Sequence, residues 1–108
     1  MRPTLGDLEQ LVLLALLQLR RDAYGITVQR EIASRTRRAV ALGAVYSTLA
    51  RLEEKGLVSS RIGPPSPIRG GRRKKLYLVE GAGRIALRDA MHALRSMSEG
   101  LAPKLRLS

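Results

Sequence analysis

Leu42-Gly43-Ala44-Val45-Tyr46-Ser47-Thr48-Leu49-Ala50-Arg51-Leu52-Glu53-Glu54-Lys55-Gly56-Leu57-Val58 reads as a short amphipathic helix that stops at a glycine and runs straight into a strand. Leu42, Val45, Leu49 and Leu52 recur at helical spacing and predict the buried face. Ala44, Ser47, Thr48 and Arg51 are expected on the opposite face. That face is small and polar with one guanidinium, so it can approach base edges without clashing. Gly56 suits the left-handed residue that closes a helix.

Downstream, Leu57 to Ile62 reads as a strand. Gly63-Pro64-Pro65-Ser66-Pro67 can continue neither strand nor helix. A return strand is expected from Lys74 to Val79, with Leu76 and Leu78 alternating with Lys75, Tyr77 and Val79. The tip of this hairpin carries Arg69, Gly70, Gly71, Arg72 and Arg73, followed by Lys74. A helix followed at once by a basic hairpin is the reading surface of a winged helix-turn-helix, and that order makes double-stranded DNA the leading partner.

Upstream, a first helix is expected from about Gly6 to Leu19. Asp7 and Glu9 fall in its first turn and Arg20 and Arg21 at its end, matching the helix dipole. It is apolar on nearly every side, which predicts burial on more than one side: the domain core and a second copy of the chain. Asp22-Ala23-Tyr24-Gly25 opens the second helix, with Asp22 as the expected N-cap and Tyr24, Val28 and Ile32 as its inner stripe. Arg35, Arg37 and Arg38 add cations at its end. A last helix is expected from about Ala82 to Leu101, stopped by Pro103. In it Leu87, Ala90, Leu94, Met97 and Leu101 form a heptad-like seam.

The chain has 108 residues, enough for one modest core. Aromatic residues make up only 3%, so that core must be aliphatic. There is no cysteine and one histidine, His92, so neither a disulfide nor a thiolate or His-rich metal site is expected. The apolar run Leu11 to Leu17 is far short of the roughly 20 residues that span a bilayer. The net charge is +11, unevenly placed: residues 61–79 hold six cations and no acid, whereas the first sixty residues hold nine cations against six acids. Concentrated charge of this kind suits a polyanion. No phosphate loop, paired carboxylates or nucleophile–base pair is legible, so an enzyme is not expected, nor any cofactor.

Within this frame Ala44, Ser47, Thr48 and Arg51 are expected to enter a major groove, and Tyr46 to reach a phosphate with its hydroxyl. Arg37, Arg38, Arg69, Gly70, Gly71, Arg72, Arg73 and Lys74 are expected to hold the DNA backbone or a groove, the two glycines letting the main chain come close. Leu8, Val12 and Leu16 of the first helix and Leu87, Ala90, Met91, Leu94, Met97 and Leu101 of the last are the expected dimer interface. Tyr24 is read as a core anchor.

The chain resembles the PadR-type winged-helix transcriptional regulators, most closely their short form. The resemblance rests on Leu5-Gly6-Asp7-Leu8-Glu9, Asp22-Ala23-Tyr24-Gly25, Leu42-Gly43-Ala44-Val45-Tyr46, the run Leu49 to Val58, Gly70-Gly71-Arg72-Arg73-Lys74 and Ala82-Gly83-Arg84. It implies a bacterial homodimer that binds an inverted-repeat operator and usually represses, with the last helix and the first making the dimer. It also implies that some members answer to small molecules. Relatives that sense drugs stack them on a tryptophan, and this chain has neither tryptophan nor phenylalanine, so its sequence lends no support to an effector of that kind. Glu80 and Gly81 stand where the family often places Thr-Pro.

The expected architecture is therefore mainly α with a small antiparallel β-hairpin: a winged helix-turn-helix over residues 1–80 and a dimerisation helix and tail over 81–108, in the cytoplasm. An RNA- or ribosome-associated winged-helix module is the alternative. It fits less well because single-stranded RNA is recognised by exposed aromatics, and only three tyrosines are present. An adaptor that keeps the fold but not the nucleic-acid contact would not need the six-cation segment.

Overall fold

The computed structural model describes residues 4–65 and 73–106. Their order is α1 (Asp7–Leu19), a 3-10 turn (Arg20–Asp22), α2 (Gly25–Thr36), α3 (Leu42–Glu54), β1 (Val58–Ile62), β2 (Lys75–Val79), α4 (Gly81–Ser98) and a short α5 (Ala102–Leu105). This is the mainly helical winged-helix arrangement that the sequence predicts. Arg69, Gly70, Gly71 and Arg72, expected at the hairpin tip, lie outside the described residues.

The core is aliphatic apart from one ring. Val12, Leu13, Val28, Val45, Leu49 and Leu52 have no exposed surface, and Leu16, Ile32, Leu57, Val58, Tyr77, Val79, Ala86 and Leu87 close around them. Val12, Leu16 and Leu87, expected at a dimer interface, are thus committed to the core of their own chain. They are corrections: α1 turns Val12, Leu13 and Leu16 inward because α2 and α3 both pack on that stripe, and its half-open side is Leu11 and Leu14.

The hairpin pairs antiparallel, with Val58 opposite Val79, Ser60 opposite Tyr77 and Ile62 opposite Lys75. Of the two alternating sets in β2, Tyr77 and Val79 face the core while Leu78 is 62% exposed. The chain entering α2 adds an extra rung, since the Tyr77 N–H donates to the Ala23 carbonyl at 2.8 Å. That extended pairing delays the helix. Asp22 belongs to the 3-10 turn, and the N-cap is Tyr24, whose N–H donates to Thr27 Oγ1 at 3.0 Å. Tyr24 itself is half-buried rather than a core anchor.

Gly56, at φ 74°, closes α3 as expected. Pro103 does not stop the last helix; α4 ends before Gly100 (φ 79°), and Pro103 sits in the first turn of α5. The start of α4 is fixed by a close approach: a Cβ on Gly83 would lie 2.3 Å from the Leu57 carbonyl oxygen. Beyond Leu87 the helix leaves the core, and Met91, Leu94 and Met97 are exposed. The molecule is accordingly drawn out, 54 × 33 × 21 Å, with a radius of gyration of 15.6 Å against the roughly 13 Å of a compact chain of this length.

An ion pair between a buried carboxylate and a partly solvated lysine ties α1 to the end of α3. Glu9 is 6% exposed. Its carboxylate accepts from Lys55 Nζ at 2.7 Å and from the Gly6 N–H at 2.9 Å. Burial pushes its pKa up; the Lys55 hydrogen bond, the Gly6 N–H and the charges of Lys55 and Arg51 together outweigh that and hold it below the usual 4.5. A carboxyl whose native pKa is depressed stabilises the fold above its unfolded pKa and loses that contribution as pH falls through the native one. Glu9→Gln is expected to cost about 1–2 kcal/mol near neutral pH, a charge-assisted bond lost beside a partly solvated lysine. Urea titrations of both proteins check this: the gap between them should narrow as pH falls below the usual carboxylate range and Glu9 takes up its proton, and a gap independent of pH would contradict the assignment.

Candidate nucleic-acid interface

The position of α3 follows from its buried stripe. Val45, Leu49 and Leu52 turn fully inward, and so does Thr48. Thr48 was expected in a groove and is instead a correction. It has no exposed surface, its hydroxyl donates to the Ala44 carbonyl at 2.7 Å, and it accepts from Arg51 Nη2 at 3.4 Å. A threonine that bonds its own helix backbone loses the usual cost of burying a hydroxyl, which is why polarity alone misplaced it. Ala44 is half-buried with it.

The exposed arc is rotated by about one position. It comprises Gly43, Tyr46, Ser47, Ala50 and Glu54, with Arg51 on its border. Gly43 and Ala50 were missed from sequence; the signal was their lack of bulk one turn before and one turn after Tyr46 and Ser47. Arg51 leans toward the α1 side, where its charge also acts on Glu9.

Tyr46 is 47% exposed. Its ring lies over the start of α2, where a Cβ on Gly25 would meet ring carbon Cε1 at 2.3 Å and the hydroxyl oxygen at 2.8 Å. Gly25 therefore makes room for the ring, and Tyr46 is held along the junction of α2 and α3 rather than swinging freely.

The hairpin lies beside this arc and is joined to it. Glu53, half-buried on α3, accepts from Ser60 Oγ of β1 at 2.6 Å and pairs with Lys75 Nζ of β2 at 3.6 Å. Lys74 Nζ stands 4.4 Å from the centre of the Tyr24 ring at the mouth of α2, and Lys75 Nζ 5.6 Å from that of Tyr77. Arg73, Lys74 and Lys75 are exposed, as is Arg61 on the other strand. Of these cations, Lys74 is thus placed at the α2 entrance. Of the three cations expected at the end of α2, Arg35 is paired with Glu31, Arg37 is exposed in a left-handed conformation (φ 58°), and Arg38 is paired with Asp7 at 2.8 Å, which offsets its charge locally.

Chemically the surface offers small groups, one phenol, one serine and flanking cations. Among the described residues no cluster of side chains suits a metal ion, and no helix is long and apolar enough to cross a membrane. Every buried side-chain nitrogen or oxygen described has a hydrogen-bond partner.

No curated protein matches the sequence closely enough to count as a relative. Solved structures do share the fold. A PadR family transcription regulator from Clostridium difficile superposes with a TM-score of 0.75 at 24% identity, covering 93% of this chain and 99% of that one. A PadR-like transcription factor from Bacteroides fragilis gives 0.72 at 25% identity, covering 89% and 87%. A PadR family transcriptional regulator from Eggerthella lenta gives 0.68 at 26% identity, covering 94% and 88%. The family model for the transcriptional regulator PadR-like family matches residues 13–89, from the middle of α1 into α4. The chain belongs to the PadR-like family of transcriptional regulators and is a winged-helix DNA-binding regulator.

Proposed function

We propose that the chain acts as a homodimeric repressor that reads an inverted-repeat operator in the cytoplasm. The observation that carries this reading is the pairing of an uncrowded helix arc with a cationic hairpin, the two bonded to one another through Glu53. In the proposal Gly43, Tyr46, Ser47 and Ala50 face base edges, with Arg51 at the margin of the groove. Arg73 and Lys74 hold phosphates, positioning the duplex without reading it. Two such heads would sit about 34–36 Å apart in successive major grooves. Repression follows from occupancy, because a dimer seated across two grooves excludes other proteins from that stretch of DNA.

Exposed apolar surface supports the second copy. Leu94 is 61% and Met97 80% exposed on a helix that stands off the domain, and Met91 is 41% exposed. Ala90 and Leu101 are half-buried along the same helix and the turn that follows it. A groove of about 180 Å³ between α1 and α2, lined by Leu11, Leu14 and Ile32, offers the partner's helix an apolar seat. Leu8 is half-buried on the same helix α1. Leu94→Glu with Met97→Glu is expected to yield monomers in analytical ultracentrifugation and to weaken operator binding by at least about tenfold, the cost of losing two-headed attachment. A double variant that sediments like wild type would remove the last helix from the interface.

Gly43 tests the reading arc. A Cβ there meets nothing within 4 Å, so the fold does not require glycine. Gly43→Leu should therefore leave thermal stability unchanged or raise it by up to about 1 kcal/mol, since glycine is the poorer helix former. The same change should weaken operator binding strongly by filling the space a base edge needs. Unaltered affinity would place the arc away from DNA.

The experiment that tests the function as a whole is selection of bound sites from random duplex, followed by anisotropy titrations against salt and against structured RNA as competitor. If the dimer covers roughly 6–10 phosphates, affinity should fall about 10³–10⁵-fold between 50 and 200 mM salt. The selected sequence should show two-fold symmetry. Recovery of no preferred site, or preference for RNA, would overturn the proposal.

A further inference from the structure

Glu53 stands out because its charge opposes the apparent purpose of its surroundings. It is an acid lodged between the reading helix and a basic hairpin, where a DNA-binding surface gains from having none. Its neighbour Glu54 is exposed and has no partner among the described residues. Glu53 is half-buried, and each oxygen has its own partner: Oε2 accepts from Ser60 of β1, and Oε1 pairs with Lys75 of β2. One carboxylate on α3 therefore holds both strands. The register explains how: Ser60 and Lys75 lie on the same face of the sheet as Val58, Tyr77 and Val79, the face turned to the core, so the edge of that face nearest α3 presents a hydroxyl and an ammonium together.

A two-stranded hairpin is marginal by itself and needs outside support to keep one orientation. The described part of this one is supported at its base by core packing of Val58, Tyr77 and Val79, and toward its outer end it is tied to the helices by two contacts: Glu53 with Ser60 and Lys75, and the Tyr24 ring under Lys74. The last two contacts involve consecutive residues, so the side chains of Lys74 and Lys75 are held from α2 and from α3 at once.

We propose that Glu53 is a positioning residue for DNA binding: it sets the angle of the hairpin against α3, so that Arg73 and Lys74 reach phosphates while α3 lies in the groove. The proposal rests on the DNA-reading assignment above. It makes no contact between Glu53 and DNA; the carboxylate acts through Ser60 and Lys75. Tyr24 is the second point of the same clamp.

The sign of one substitution separates this role from simple electrostatics. Removing an acid from a cationic surface should tighten DNA binding if charge alone matters. If Glu53 positions the hairpin, Glu53→Gln should weaken binding at least about tenfold, and the slope of log affinity against log salt should become shallower by about 2 for each reading head, about 3.6 for the dimer, the loss of two phosphate contacts per head at roughly 0.9 each. Glu54→Gln removes the same charge from the same helix without loosening the hairpin and should tighten binding, since it takes an acid off the DNA-facing arc; weakening by this change as well would contradict a role special to Glu53. Ser60→Ala alters no charge and should weaken binding in the same direction, which keeps the idea testable if Glu53→Gln folds poorly in circular-dichroism melts. The measurement is fluorescence anisotropy with a random-sequence duplex across a salt series. Wild type that fails to bind duplex would sink the underlying function. Wild type that binds, with Glu53→Gln equal or tighter and an unchanged salt slope, would sink the positioning role alone.

Discussion

The structure depends on how α3 is seated. Four of its residues, Val45, Thr48, Leu49 and Leu52, have no contact with solvent, and they span enough of the helix to prevent it from rolling. A helix so fixed offers only the remaining arc outward, and the identity of that arc is decided inside the molecule rather than on its surface. The Glu9–Lys55 pair fastens the far end of the same helix to α1. Hydrophobic burial sets which side faces in, and the ion pair sets where along α1 the helix stops sliding. A buried charge is costly unless matched, and Lys55 together with the Gly6 N–H matches that of Glu9.

Much of the architecture was legible because its signals are local. The glycine at 56, the Pro/Gly break after Ile62 and the helical spacing of Val45, Leu49 and Leu52 each restrict the backbone directly, and the elements they mark lie within a few residues of their expected bounds. What escaped was the assignment of faces. Thr48 is polar by composition yet satisfies its hydroxyl within its own helix, so it can be buried at little cost. The wing strand offers two apolar alternatives, Leu76 and Leu78 or Tyr77 and Val79. Only the pairing with β1 and with Ala23 decides between them. The seam predicted for dimerisation mixed residues of two kinds. Leu87 is needed where α4 starts, and Leu94 and Met97 only where it has left the domain. A heptad pattern does not mark where along a helix one neighbour gives way to another.

Charge was similarly legible in amount and less so in arrangement. The density of arginine and lysine between residues 61 and 79 marks the hairpin. It does not reveal that Arg38 is partnered by Asp7, that Lys74 sits on a tyrosine, or that Lys75 is shared with an acid of the reading helix. These contacts link segments far apart in sequence. They convert a run of like charges, which alone would repel itself and stay loose, into groups with defined places.

The three tyrosines occupy a single corner of the molecule. Tyr24 caps α2 beneath Lys74, Tyr46 fills the space left by Gly25, and Tyr77 bonds through its main chain to Ala23. With no tryptophan in the chain, all ultraviolet emission originates there. The protein consequently carries a built-in optical reporter confined to the place where helix, turn and hairpin converge, silent about the remote helix and readable without any attached dye.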